Sequence, residues 1–460
     1  MHTTLPIEPQ VFWLCVTLAG IVVLSGLIYA VLPTSREDAD AKNVNVRKAL
    51  GAQDMPEALF FLLVLLWMVL ALCLFAGLVV TIGMIGHQLF FADDFTANRF
   101  PLIQLAALTA TLGATVALPF TVIRLKLTQD QTHTAKASLF NQKITEAAAD
   151  LHAQRQISKK VGVRKWETLW EDDIVRRNAA IDRLEGLVRE EPQEAARVSR
   201  LLSVYVRELS DEIPAQPTPD TEDVETLKDW AHKLTIPRSD MQNAVQVLGR
   251  LATITDVDTS TLSIDLRKAN LQAMDLSGLS FDKAQLTNAK LQGANLMGAE
   301  LQEAHLISAE LQGANLWGAK LQGADLVGAE LQGADLISAE LQGADLISAE
   351  LQGADLNSAE LRGAYLVGAE LQGADLNSAK LDISTNLTDA FFAGASVRFV
   401  DFTDIPQIAI HIDAVFGDGT TKLPEDVRRP ATWPNEKLNE IDYDTQWRAF
   451  AARKGVESPK

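Results

Sequence analysis

The side chains best suited to chemistry are spaced too evenly to form a reactive centre. Glu310, Glu330, Glu350 and Glu370 stand twenty residues apart, with Lys290 heading the same series. A general acid–base pair needs two such groups in a pocket that shifts their pKa, and equal spacing along a repetitive surface offers none. The seven histidines are scattered. His305 takes an Asp/Asn position in AHLIS and reads as a surface substitution. There is no GxxxxGK[ST] loop to cradle phosphate, no GxGxxG, and no HExxH or CxxC pair. Cys15 and Cys73 both lie in apolar runs, so no disulfide framework is expected and a reducing compartment fits. The chain reads as a non-enzyme with no cofactor and no metal.

The carboxylates belong to a repeat. From Leu266 to Leu381 every fifth residue is Leu or Phe, and Ala stands two residues before it from Ala284 through Ala379. A step of five advances about 500° on a helix, about 140° out of register. On a flat strand it changes face at each step. The spacing suits a unit that is one short side of a coil, with Leu and Ala inward, winding into a solenoid. The expected core includes Leu291, Leu311, Leu331, Leu351, Ala334 and Ala354. One extra residue at 382–386 shifts the register before Leu387, Phe392, Val397 and Phe402. Seven turns at about 4.8 Å give a rod about 34 Å long. The phenylalanines then close the core, or the rod kinks.

ANLQG, AELQG, ADLIS and AKLQG resemble the A(D/N)LXX signature of pentapeptide-repeat proteins. The resemblance implies a right-handed quadrilateral β-solenoid with four units per turn. The order of spans, helical segment, repeats and tail is similar to a bacterial membrane-anchored subgroup, as is the phrase FGDGTTKLPEDVRRPATWP at 416–434. With four sides per turn, residues twenty apart stack in columns. Gln292, Gln312, Gln332, Gln352 and Gln372 form one, suited to amide ladders. Carboxylates about 5 Å apart in the glutamate column repel by roughly 0.8 kcal/mol in water. Two other columns are apolar and point outward: Ile307, Val327, Ile347 and Val367 on one side, and Met297, Trp317 and Ile337, followed by Asn357 and Asn377, on the opposite one. Apolar rows of this kind mark contact surfaces. They form the expected protein-binding face, covered by a partner, a second copy or the chain's own tail with Trp433, Trp447 and Phe450.

The first part of the chain is membrane-like. Uncharged apolar runs occupy 11–32, 58–86 and 101–123, each longer than the roughly 20 residues needed to span a bilayer. No ionisable carboxylate or base lies within them to mark an ion path, so 1–126 reads as an anchor of three transmembrane helices. Thr109, Gly113 and Ala117 make a small-residue stripe on the third. Arg36, Lys42, Arg47 and Lys48 follow the first run, and Arg124, Lys126 and Lys136 the third. The positive-inside rule then places the amino terminus outside and everything after residue 124 in the cytoplasm, at a bacterial inner membrane.

Between anchor and repeat, 127–212 reads as a cytoplasmic helical segment. Ile174, Ile181, Leu184 and Val188 recur at helical spacing, and so do Val198, Leu201, Leu202, Tyr205 and Leu209. Pro192 separates them into a helical hairpin. Residues 213–222 form a Pro-rich linker. Residues 223–260 hold two short helices that cap the repeat, the second with Ser239 as its N-cap. The solenoid occupies 261–404 and the tail 405–460.

The whole chain has 460 residues and a net charge of −19, which disfavours nucleic acid as a partner. Two functions compete. One is a membrane-anchored scaffold, with the bilayer, a protein and a homo-oligomer as candidate partners. The other comes from the resemblance: some pentapeptide-repeat proteins are acidic mimics of duplex DNA that protect topoisomerases. Residues 264–383 carry 7 basic and 17 acidic side chains. The anchor and the neutral columns favour the scaffold.

Overall fold

The computed structural model describes residues 56–91, 99–160, 166–221 and 223–456. It divides into two compact units at residues 139 and 140.

The first unit contains α1 (Glu57–Phe91) and most of α2 (Arg99–Leu151). Residues Ala58–Gly86 of α1 are long and apolar enough to cross a membrane. Leu62, Leu66 and Met84 face outward, each about 60% exposed, as in a helix that is apolar all round. The two helices run antiparallel: Trp67 Nε1 donates to the Thr115 carbonyl at 3.1 Å, and Gly77 lies beside Leu108. The small-residue stripe is not this contact, because Thr109, Gly113 and Ala117 are exposed. The expectation of three spans reduces to one full-length apolar helix among the described residues. Within α2 the described apolar stretch is Leu102–Thr115. Thr111 and Thr115 return their hydroxyls to carbonyls one turn back, each at 2.7 Å. The run 11–32 lies outside the described residues.

The second unit departs from sequence expectation first at 154–172. The helical periodicity is interrupted there by an antiparallel hairpin of β1 (Gln154–Lys160) and β2 (Trp166–Asp172). Opposite charges face each other in it at Arg155 and Glu171, and Ile157 pairs with Leu169. The period-two signal is short and mostly polar, which hid it.

Four helices follow, and three of them, the first, second and fourth, close the start of the coil. Asp173 caps α3 (Ile174–Glu190) by accepting from the Arg176 N–H. A 3-10 turn, Pro192–Glu194, leads into α4 (Ala195–Glu212). Then come α5 (Val224–Ala231) and α6 (Ser239–Leu251). The α6 N-cap is Arg238, with no side-chain cap bond; Ser239 is already helical. Ile181, Leu184, Leu202 and Leu248 are fully buried where α3, α4 and α6 meet. Tyr205 donates to Asp240 at 2.7 Å, and Arg238 bridges Asp240 and Asp172, tying the hairpin's end to the cap.

The first coil of a solenoid leaves one N–H per side without the preceding rung to accept it. The cap supplies all four acceptors. Asp265 N–H donates to Ser203 Oγ and Asn270 N–H to Ser210 Oγ. Asp275 N–H donates to Gln242 Oε1 and Ser280 N–H to the Gly249 carbonyl. Through the following rungs up to Ser396 the preceding rung takes this role, as when Gln285 N–H donates to Ile264 O at 2.9 Å.

Parallel bridges twenty residues apart run from Asp265↔Gln285 to Glu360↔Lys380, and twenty-one apart at Tyr365↔Asn386. The extra residue is absorbed at a corner, where Ile383 is 77% exposed and Thr385 Oγ1 donates to Leu361 O. The stack continues past the expected end at 404, through Ser396↔Phe416 and Asp401↔Lys422. Phe392, Phe402 and Phe416 fill the inside of these last turns. The interior is dry: along thirteen leucines the free space is about 10 Å³, at the threshold for one water.

The tail seals the far end. Trp433 Nε1 donates to Val415 O at 2.9 Å, and the buried Asp418 accepts from Leu438 N–H. Helix α7 (Glu440–Arg453) then lies over a corner of the coil, with Tyr443 on Ser396 and Trp447 donating to Gly394 O.

Candidate interaction surfaces of the coil

Each unit sends two residues inward and two outward. Leu291, Leu311, Leu331, Leu351, Ala334 and Ala354 are all inside, each at most 1% exposed. The outward pairs give four sides of different chemistry.

The strap side carries the glutamates and glutamines, and the chain itself covers it. Residues 213–222 are not a free linker. Asn270 Nδ2 donates to Ile213 O, Gln216 and Gln272 exchange two bonds at 2.8 and 2.9 Å, and Gln292 reaches Thr218. Helix α5 then runs back over the same side. A methyl group on Gly293 would lie 2.3 Å from the Ala231 carbonyl oxygen, and one on Gly313 2.8 Å from Ala231 Cβ. Lys228 sits in the same way over Gly333, and Val224 over Gly353. The corner backbone is left-handed on every side and elsewhere accepts Ser, as at Ser338 and Ser348. Glycine here therefore makes room for the helix rather than only for the turn.

The glutamines do not form the expected amide ladder beyond Gln272 to Gln292. Instead Gln312 donates to Glu330, Gln332 to Glu350, and Gln352 to Glu370 at 2.6 Å. Each carboxylate is held by the glutamine of the rung before. Desolvation, then the neighbouring glutamates, pushes the Glu330 and Glu350 carboxyls up.

The lysine side is charge-balanced, with Lys320 on Glu300 and Lys380 on Glu360. The tryptophan side presents Met297 at 42% and Trp317 at 51% exposure, then half-buried Ile337, Asn357 and Asn377. Its far end meets α7: Tyr443 Oη donates to Asn377 Oδ1 at 3.5 Å, and Asp375 and Asp444 line one recess. Burial, with Asp355 and Asp444 adding repulsion, pushes the Asp375 carboxyl up to about 7.

The valine side presents Ile307, Val327, Ile347 and Val367 on four successive rungs, each half-buried against its neighbours in the stack. Tyr365 stands at one end, 49% exposed. Asp325 and Asp345 flank the column, and each accepts only its local N–H, from Val327 and Ile347. Neither tail nor cap makes a described hydrogen bond or ion pair with these rungs. α7 thus reaches the end of one apolar column, while at the corners of the other a methyl group on Gly328 or Gly368 would have only Ser308 or Ser348 of its own column within 4 Å among the described residues. The residues missed from sequence are those of the strap and α5. Their signal was the Gly kept at every corner from 293 to 373 of one column, where the other columns admit Ser or Glu.

No cluster of three or more His, Cys, Asp or Glu able to hold a metal ion occurs among the described residues.

The family model for pentapeptide repeats (8 copies) matches residues 264–302, 299–336, 318–353 and 344–382. No curated protein matches the chain. Among solved structures, the chain is similar to alr5209, a pentapeptide repeat protein from Nostoc PCC 7120, at 31% identity over 28% of this chain and 77% of that one, TM-score 0.13. It is similar to HetL from Nostoc sp. PCC 7120, involved in heterocyst differentiation regulation, at 28% identity over 35% and 82%, TM-score 0.15. It is also similar to full-length QnrB1, a plasmid-mediated fluoroquinolone resistance protein, at 18% identity over 42% and 95%, TM-score 0.22. Through its repeat segment, the chain belongs to the pentapeptide-repeat protein family.

Proposed function

We propose that the protein is a membrane-anchored scaffold whose coil binds another protein through its bare apolar column. The observation that carries this reading is the contrast between sides. The chain covers the strap side with its own helix, while Ile307, Val327, Ile347 and Val367 stay uncovered on a rigid surface. Met297, Trp317 and Ile337 extend the binding face on the tryptophan side. Helix α1 supports the anchor, with 11–32 and part of α2 as further spans. The basic residues after each of those runs support an outside amino terminus and a cytoplasmic coil at a bacterial inner membrane. A second copy of the chain is a further candidate partner.

The acidic-mimic reading loses support from the same contrast. Its most regular carboxylate column is bonded to glutamines and runs beneath α5. The test is a crosslinking pull-down from native membranes with wild type and a Val327→Glu, Ile347→Glu double variant of equal thermal stability. A protein captured by the wild type and lost by the variant supports the scaffold. Equal capture removes the column from the reading, and capture of a topoisomerase by both restores the acidic mimic.

A further inference from the structure

We infer that the valine side is a seat for an amphipathic α-helix of a partner protein, laid along the coil axis with one helical turn per rung and with Lys or Arg beside its apolar stripe. The inference rests on the scaffold reading and adds the shape and charge of the occupant.

The strap side supplies the pattern. Val224, Lys228 and Ala231, at i, i+4 and i+7, meet the successive corners Gly353, Gly333 and Gly313, and the Ala231 carbonyl reaches Gly293. Seven residues of helix rise about 10.5 Å, and two rungs span about 9.6 Å, so the helix stays in step with the coil. The same register suits the valine side. Its four apolar residues span about 14 Å, and a helix presenting i, i+4, i+7 and i+11 covers about 16.5 Å. An extended strand along the axis repeats every 6.6–6.8 Å or so and falls about 2 Å out of step at each rung. The corners Ser308, Gly328, Ser348 and Gly368 are small and leave the column open to a helix.

Charge selects the partner. From His305 to Gly368 this side carries Asp325 and Asp345 and no Lys or Arg, and neither carboxylate has an ion pair among the described residues. On the strap side the docked helix brings Lys228 toward the acidic columns. A helix seated on the valine side satisfies the same rule with cations flanking its apolar stripe. A second copy presenting the same side would set Asp325 and Asp345 against themselves, which argues against a symmetric dimer here.

The test uses the full chain in nanodiscs and a labelled designed helix of about 18 residues. The helix carries Ile at i, i+4, i+7 and i+11 and flanking lysines; its twin carries glutamates instead. The wild type is expected to bind the lysine helix and not the twin. Val327→Glu with Ile347→Glu weakens binding by about tenfold or more. Asp325→Lys with Asp345→Lys, which leaves the apolar column whole, reverses the preference. Lack of binding, binding indifferent to the Val327/Ile347 variant, or binding without charge preference overturns the inference. If membrane capture is still lost in the Val327/Ile347 variant while the designed helix fails, the scaffold stands and the helical seat falls. A photocrosslink from position 327 to a second copy or to this chain also overturns it.

Discussion

On the strap side the corner residue is Gly at Gly293, Gly313, Gly333 and Gly353, and the outward pair is Glu with Gln. On the valine side the corners alternate Ser308, Gly328, Ser348 and Gly368, and the outward pairs are His305 with Ile307, Asp325 with Val327, Asp345 with Ile347 and Tyr365 with Val367. The backbone and the inward Ala and Leu are the same. One side admits its own helix to backbone distance and pairs its carboxylates with amides. The other keeps an apolar row beside carboxylates that have only local bonds. A repetitive fold thus gains specificity from which outward residue is repeated, since the inward ones already hold it together.

Substitutions can break this contrast from the strap side first. Gly293→Ala with Gly313→Ala adds left-handed strain of about 1–2 kcal/mol at each position and drives methyl groups into Ala231. Amide exchange over 224–231 should rise sharply. The control Gly298→Ala carries the same strain but meets nothing within 4 Å, and should leave α5 protected. Next in size is Gln272→Ala. It strips the Gln216 N–H and carbonyl of their partners, an expected loss of about 1–3 kcal/mol in denaturant unfolding, with exchange localised to the strap.

A pH effect should appear at α7. The Asp375 carboxyl titrates near 7 in the folded protein and lower when unfolded. The folded state therefore holds more protons between those values, so stability falls as pH rises toward 7 and the loss is complete above it. Protection factors over 440–453, taken against the intrinsic exchange rate at each pH, should be higher at pH 6 than at pH 8, and Asp375→Asn should remove the difference. The smallest effect on stability is expected on the valine side. Val327→Glu with Ile347→Glu sits outside the core and should change unfolding free energy by less than about 1 kcal/mol, although it removes the binding surface.

Much of the coil was legible because its signal is redundant: Leu and Ala at fixed steps repeat the same instruction in every unit. The corner at 382–386 was legible too, since one extra residue displaces every later leucine. The hairpin at 154–172 was not, because its strands are mostly polar and Asp172 ties it to the cap by charge, through Arg177 and Arg238, rather than by apolar alternation. The end at 404 was set too early. Beyond it the coil is closed by a 3-10 turn, Pro406–Ile410, whose Gln407 side chain accepts Leu387 N–H in place of a strand. Side-chain substitution for backbone leaves no period to read. The strap was hidden for a related reason: prolines suggested a free linker, whereas its partners, Gln272 and Gln292, lie more than fifty residues away.

The central claim is that one side of the coil is occupied by its own chain and another is kept for a partner. The most direct measurement places a photocrosslinking residue at Gln332 in one variant and at Val327 in another, each in native membranes, and maps the products. The expected result is an internal link from 332 to residues 224–231 and an intermolecular link from 327 to a different protein. A link from 327 into this same chain, or an intermolecular link from 332 with none from 327, would contradict it.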